Sequence, residues 1–256
     1  MKMKKLFALD FDGVLCDSAL ETGRSAWRCA KTLWPDEFPE SRPSDELMAA
    51  FRRRRPYLET GFQSVIILKM ICEGLPEAEF AERLSAHTER LLTSLAIDRA
   101  EIIRRFGETR DRWIAEDSQS WYDSLTFFPG AIEALRTAMA NNLVAILTTR
   151  QERFTRLLLQ RQGIDIPADR LWGLDRKEKK EQTLLRFRQT FDGDIYFVED
   201  RLPTLDRVLA TDGLESVKLL YASWGYGTPS ELERARSTPR VASIDLPEFL
   251  ALLAAP

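Results

Sequence analysis

The sequence predicts an α/β fold, an open parallel sheet with helices on both faces and an all-helical segment inserted after the first strand. Three observations carry this. A short apolar run, Leu6 to Leu9, ends in Asp10-Phe11-Asp12-Gly13, as a buried strand meeting a turn does. From about Cys16 to Phe127 the apolar residues recur at helical spacing, with no convincing strand among them. Beyond Phe127, short apolar runs alternate with helical patterns, which is the signature of a parallel sheet.

The elements follow in order. Ser18 is placed to cap a first helix with Gly23, Ala26, Trp27, Ala30 and Trp34 on one face and Pro35 just past its end. Ser44 is placed to cap a second, with Leu47, Met48 and Phe51 inward, that stops before Pro56. Phe62, Val65, Ile66 and Met70 mark a third helix, and Pro76 is expected to open a fourth with Phe80, Leu84, His87 and Leu91 aligned. A fifth carries Ile102, Phe106, Thr109 and Trp113. In the alternating part, Ile132 to Met139 reads as helix and Leu143 to Leu147 as a strand ending in Thr148-Thr149-Arg150. Phe154 to Arg161 is a helix closed by Gly163, and Lys180 to Phe191 another. Ile195 to Val198 is a strand ending in Glu199-Asp200, followed by a helix over Pro203 to Ala210. Val217 to Tyr221 and Val241 to Ile244 read as further strands, with a helix between them and one at the C-terminus.

Composition narrows the class. Of 256 residues, 44% are hydrophobic and 30% charged, as in ordinary globular chains. A net charge of −3 gives no basis for binding nucleic acid or a membrane surface. The N-terminus begins basic, yet Asp10 and Asp12 interrupt its short apolar stretch, so neither a leader peptide nor a membrane span is expected. Cys16, Cys29 and Cys72 have no metal-site spacing and read as reduced thiols, which fits a cytoplasmic protein. A monomer is compatible with all of this.

Ligands of open α/β sheets sit outside the carboxyl ends of the strands. Those ends carry Asp10 and Asp12, Thr148, and Glu199 with Asp200, so residues far apart in sequence can converge. Carboxylates gathered in one crevice repel one another and call for a cation. The donors are all hard oxygens, with no histidine or cysteine among them, which favours Mg²⁺ over zinc. A carboxylate can serve as a nucleophile towards phosphorus, and a second acid two residues along can deliver and take back the proton.

Asp10-Phe-Asp-Gly-Val-Leu-Cys-Asp-Ser18 resembles the first motif of the haloacid dehalogenase (HAD) superfamily. Val144-Ala-Ile-Leu-Thr148 resembles its second motif, and Val198-Glu199-Asp200 the fourth, in the acidic-pair form of the β-phosphoglucomutase-like phosphatase branch. Trp224-Gly-Tyr-Gly with Glu231-Leu232 is similar to the C-terminal segment of such phosphatases. The resemblance implies a Rossmann-like core over residues 1–15 and 128–256, with residues 16–127 as a helical cap domain. It implies Asp10 as nucleophile and metal ligand. Asp12 becomes the general acid/base and lends its backbone carbonyl to the metal. Thr148 holds the phosphoryl group, helped by the Thr149 backbone, and Glu199 and Asp200 complete a Mg²⁺ site.

The motif lysine lies in the stretch holding Lys177, Lys179 and Lys180. Lys180 shares a helical face with Leu184 and Phe187 and is preferred, with Lys177 as the alternative. Arg55, four residues after Phe51, and Arg150, just past Thr149, are candidate substrate-binding guanidiniums. The competing reading of each, and of the whole run Arg52 to Arg55, is a solvated charge. His87 reads as a packed residue of the helical part. The function implied is hydrolysis of a small phosphorylated metabolite through an aspartyl-phosphate. The alternatives are a phosphomutase using the same intermediate, disfavoured by Arg201 after the acidic pair, and a catalytically silent binding protein on this scaffold.

Overall fold

The structure is a computed structural model that describes residues 5–255; the basic start of the chain before Lys5 lies outside them. The chain forms two compact units, one made of the residues up to Asp17 and from Thr126 onward, the other of Ser18–Leu125.

The described residues begin with β1 (Lys5–Leu9) and the two-residue β2 (Cys16–Asp17). The second unit then follows as α1 (Ala19–Leu33), α2 (Asp45–Arg54), α3 (Gln63–Cys72), α4 (Phe80–Ser94) and α5 (Arg99–Asp123). Helix α3 is buried at every position from Ser64 to Met70, so it is the central helix of this unit. Val65, Ile66, Ile67 and Met70 share an apolar cluster with Ala26, Trp27 and Ala30 of α1, Phe51 of α2, Leu84 of α4 and Ile102 of α5. Lys69 is also buried there, and Glu37 and Glu73 neutralise its ammonium at 2.7 and 3.0 Å.

Three expectations in this region need correction. Ser44 caps α2, accepting from Leu47 N–H at 3.2 Å, but Ser18 makes no capping bond at α1. Pro76 opens a 3₁₀ turn, Glu77–Glu79, and α4 starts only at Phe80. The segment expected to hold no strand has one at each end: β2 pairs antiparallel with β3 (Thr126–Phe127), Cys16 opposite Phe127 and Asp17 opposite Thr126.

The remaining elements are α6 (Ala131–Asn141), β4 (Leu143–Leu147), α7 (Glu152–Arg161), β5 (Leu171–Trp172), α8 (Lys180–Thr190), β6 (Asp194–Glu199) and α9 (Leu202–Leu209). Then come β7 (Lys218–Ala222), α10 (Pro229–Ser237), β8 (Val241–Ile244) and α11 (Leu246–Ala254). Six strands form a parallel sheet in the order β5-β4-β1-β6-β7-β8. The central strands are buried on both faces, as a helix-covered parallel sheet requires. Leu6, Ala8, Ala145 and Leu147 join Leu184 of α8 and Leu202, Leu205 and Val208 of α9 in one core cluster. Leu9 lies level with Ile146 of β4 and Val198 of β6, so the carboxyl ends of the three central strands finish side by side. No helix among the described residues is long and apolar enough to cross a membrane.

Candidate active site

Three strand ends meet at one edge of the sheet. Asp10 follows β1, and its N–H donates to Val198 O on β6 at 3.0 Å, which carries the register one residue beyond the strand. Glu199 ends β6 and Asp200 follows it; both are 1% exposed. Carboxylate oxygens of Asp10, Glu199 and Asp200 lie within 4.8 Å of one another. Three buried acids so close repel strongly unless cations intervene. One cation is Lys180, the first residue of α8, whose Nζ stands 2.8 Å from Asp10 Oδ1 and 2.8 Å from Glu199 Oε2. Lys177, the alternative, is exposed just after the 3₁₀ turn Leu174–Arg176 that precedes that helix.

The electrostatics follow from this packing. Burial pushes the Asp10 carboxyl up to about 7, the nearby Glu199 and Asp12 charges add to the rise, and the Lys180 ammonium opposes it. Burial works against the Lys180 ammonium, but the Asp10 and Glu199 carboxylates beside it outweigh that and raise it above its usual range. Glu199 is fixed by its other oxygen: Oε1 accepts from the N–H groups of Asp200 and Arg201, each at 3.1 Å. Asp200 Oδ2 accepts from Tyr226 N–H at 2.7 Å.

Asp12 stands two residues beyond Asp10, half-buried, on the turn that Gly13 permits with φ +90°. Arg150 turns its guanidinium onto it in a two-pronged pair, Nη2 to Oδ1 at 2.7 Å and Nε to Oδ2 at 3.1 Å. Arg150 is 4% exposed, so it stands neither in solvent nor free for another anion in this geometry. Thr148 is buried at the end of β4, and its Oγ1 accepts from Arg150 N–H at 3.0 Å. Thr149 between them is exposed.

Asp10, Asp12, Thr148, Arg150, Lys180, Glu199 and Asp200 thus all belong to one edge of the first unit. Arg55 belongs to the helical unit, where it is buried on the 3₁₀ turn Arg55–Tyr57, while Arg52 and Arg53 are exposed. Arg201 directs Nη2 to Glu231 Oε1 at 3.4 Å, tying the acidic pair to α10. Sequence reasoning missed the link from Tyr226 to Asp200 and the Arg150–Asp12 pair. The Trp224-Gly-Tyr-Gly run was the available signal for the first, because paired glycines mark close backbone approach. No sequence signal exists for the second.

The donor set has the character a hard divalent cation needs. It offers three buried carboxylates with no nitrogen or sulfur ligand, already so crowded that Lys180 must screen two of them.

The family model for hydrolases of the haloacid dehalogenase-like hydrolase kind matches residues 4–203. Among solved structures, the chain is similar to a haloacid dehalogenase-like family hydrolase from Streptococcus pneumoniae, at 15% identity and TM-score 0.58 over 98% of each chain. It is also similar to a protein described as a "predicted phosphoglycolate phosphatase" from Haemophilus somnus 129PT, at 15% identity and TM-score 0.60 over 98% of this chain and 99% of that one. A hydrolase from Pseudomonas syringae is similar at 19% identity and TM-score 0.54, over 98% of this chain and 97% of that one. No curated protein matches.

Proposed function

This chain belongs to the haloacid dehalogenase-like hydrolases, and from that premise we propose that it is a magnesium-dependent phosphatase that cleaves a small phosphomonoester through an aspartyl-phosphate at Asp10. One observation carries the reading: the Lys180 ammonium bridges Asp10 and Glu199 at 2.8 Å each, in a cluster where carboxylate oxygens of Asp10, Glu199 and Asp200 lie within 4.8 Å of one another.

Asp10, Glu199 and Asp200 would hold Mg²⁺ through their carboxylates, joined by the Asp12 backbone carbonyl. Bound there, Mg²⁺ supplies positive charge that favours ionised Asp10 and neutralises the phosphoryl oxygens. The chain does the rest. An Asp10 carboxylate oxygen attacks phosphorus as the ester P–O bond breaks. The leaving oxygen takes a proton from the Asp12 carboxyl, which must first come away from its Arg150 pair and be protonated. The Thr148 hydroxyl, the Thr149 N–H and the Lys180 ammonium hold the phosphoryl oxygens. Asp12, now a carboxylate, takes a proton from water as that water's oxygen attacks the aspartyl-phosphate. This frees inorganic phosphate, restores Asp10 and re-protonates Asp12.

The helical unit would act as the cap and choose the substrate, with Arg55 as a candidate contact. A cap that encloses the crevice suits a small phosphorylated metabolite rather than a macromolecule.

The test is p-nitrophenyl phosphate hydrolysis with Mg²⁺, followed by a panel of phosphorylated metabolites. Turnover is expected that needs Mg²⁺ and is lost in Asp10→Asn. Hydrolysis that survives Asp10→Asn, or that zinc alone activates, would overturn the reading.

A further inference from the structure

The acid Asp200 sits in a cradle of bare backbone. A Cβ on Gly13 would fall 2.0 Å from Asp200 Oδ2, and one on Gly225 would fall 2.3 Å from Asp200 Cβ. A Cβ on Gly227 would meet Tyr221 Oη at 1.7 Å and Asp200 O at 2.8 Å. The loop after β7 therefore reaches Asp200 only because both neighbours of Tyr226 lack side chains. That closeness has a consequence for rigidity. A peptide between two glycines is the least restrained kind of backbone, yet the Tyr226 N–H must stay aimed at Asp200 Oδ2, which it meets at 2.7 Å.

The Tyr226 side chain supplies the restraint. Its phenol O–H donates to Asp17 Oδ1 at 2.8 Å, across to the β2–β3 ladder. A neighbouring tether, Trp224 Nε1 to Val14 O at 3.2 Å, holds the start of the same loop to the turn after β1. Tyr226 thus faces two ways: its backbone serves Asp200, and its ring is pinned to Asp17.

We propose that Tyr226 is a positioning residue for the metal site: the Tyr226–Asp17 hydrogen bond holds the Gly225–Gly227 loop so that the Tyr226 N–H fixes the Asp200 carboxylate in the orientation that binds a divalent cation. The proposal rests on the reading of Asp10, Glu199 and Asp200 as a Mg²⁺ site. Partners that orient metal ligands matter nearly as much as the ligands, and their loss weakens metal affinity by about 10–100-fold.

Calorimetric titration of the purified protein with Mg²⁺ tests this without reference to activity. Tyr226→Phe keeps the N–H and the ring and removes only the phenol oxygen. About tenfold weaker Mg²⁺ binding is expected, at the low end of that range because the direct hydrogen bond to Asp200 survives. Asp17→Ala removes the same bond and should weaken it at least as much, and the double variant Tyr226→Phe/Asp17→Ala no further than Asp17→Ala alone. Asp17→Asn keeps an acceptor oxygen and should restore most of the affinity. Melting temperatures read in Mg²⁺-free buffer separate this from misfolding. Wild-type affinity in Tyr226→Phe, or additive losses in the double variant, overturns the positioning role. If the wild-type chain itself binds no Mg²⁺, the metal-site reading falls and takes this proposal with it.

Discussion

Glu21 is the most deeply buried charge in the helical unit, and Arg110 is the partner that makes its burial tolerable. Glu21 lies on the first turn of α1 with no exposed surface, and Arg110 lies on α5 at 3% exposure. Arg110 Nε and Nη2 meet the two Glu21 oxygens at 2.7 and 2.9 Å. Trp121 Nε1 at 3.0 Å and Ser25 Oγ at 2.8 Å add neutral donors to Oε1. Arg110→Met keeps an unbranched apolar stem and removes the cation. Breaking a buried pair from one side costs about 3–5 kcal/mol, because the remaining charge is left in a dry interior. Trp121 and Ser25 still solvate Oε1, so a loss near the lower end, about 3 kcal/mol, is expected. At roughly 2–4 °C per kcal/mol for a chain of this size, the unfolding midpoint should fall by about 6–12 °C. Thermal and urea unfolding followed by circular dichroism measure it. Glu21→Gln in the Arg110→Met background should recover much of the loss, since the amide oxygen still accepts from Trp121 and Ser25 while the unpaired charge is gone. A loss below about 1 kcal/mol in Arg110→Met, or a double variant no more stable than the single one, would refute the claim that pairing rather than packing governs this site.

The other predictions concern the acid cluster and the thiols. Lys180→Met should lower kcat/KM by about 10²–10³-fold, the usual effect of removing one group that stabilises developing charge. Retention of activity within tenfold in a steady-state assay would contradict the role of the ammonium between Asp10 and Glu199. Among the cysteines, Cys16 and Cys29 are buried and Cys72 is exposed, so Cys72 should be alkylated first by iodoacetamide. Burial pushes the Cys29 thiol up to about 11 and Cys16 higher than the usual thiol range, so peptide mapping at pH 8 should find both unmodified in the folded protein.

The sheet was legible because its strands announce their own ends. Leu143–Leu147 and Val241–Ile244 match the observed strands at both limits, since each apolar run is bounded by polar or turn residues. The acids and hydroxyl at the ends of β1, β4 and β6 needed only a parallel sheet to bring them together. Strand β5 was missed: Leu171–Trp172 is two residues long, and no periodicity survives in two residues. The break in α5 was missed as well. Asp117 leaves the helical region with φ −158° and ψ 80°, and its Oδ1 accepts from Ser120 N–H at 3.0 Å, as the cap of a new helical segment would. Aspartate gives that signal faintly where no proline or glycine accompanies it. The direction of a long side chain was legible for Lys180, which a helical face places, but not for an arginine on a loop. Arg150 was a candidate for substrate or solvent on equal terms; that its guanidinium meets Asp12, 138 residues away, is a product of tertiary packing alone.

The paired β2 and β3 decide what the helical unit can become. The chain departs at Asp17 and returns at Thr126, and these two residues stand opposite each other on a ladder. To the sheet, the entire excursion is therefore one hairpin loop, however much chain it contains. Loop closure is settled at the ladder, so lengthening or rebuilding the helices adds only slowly to the entropy of joining the ends. The excursion can be lengthened or rebuilt while the strand order, and the edge where Asp10 stands, stay as they are.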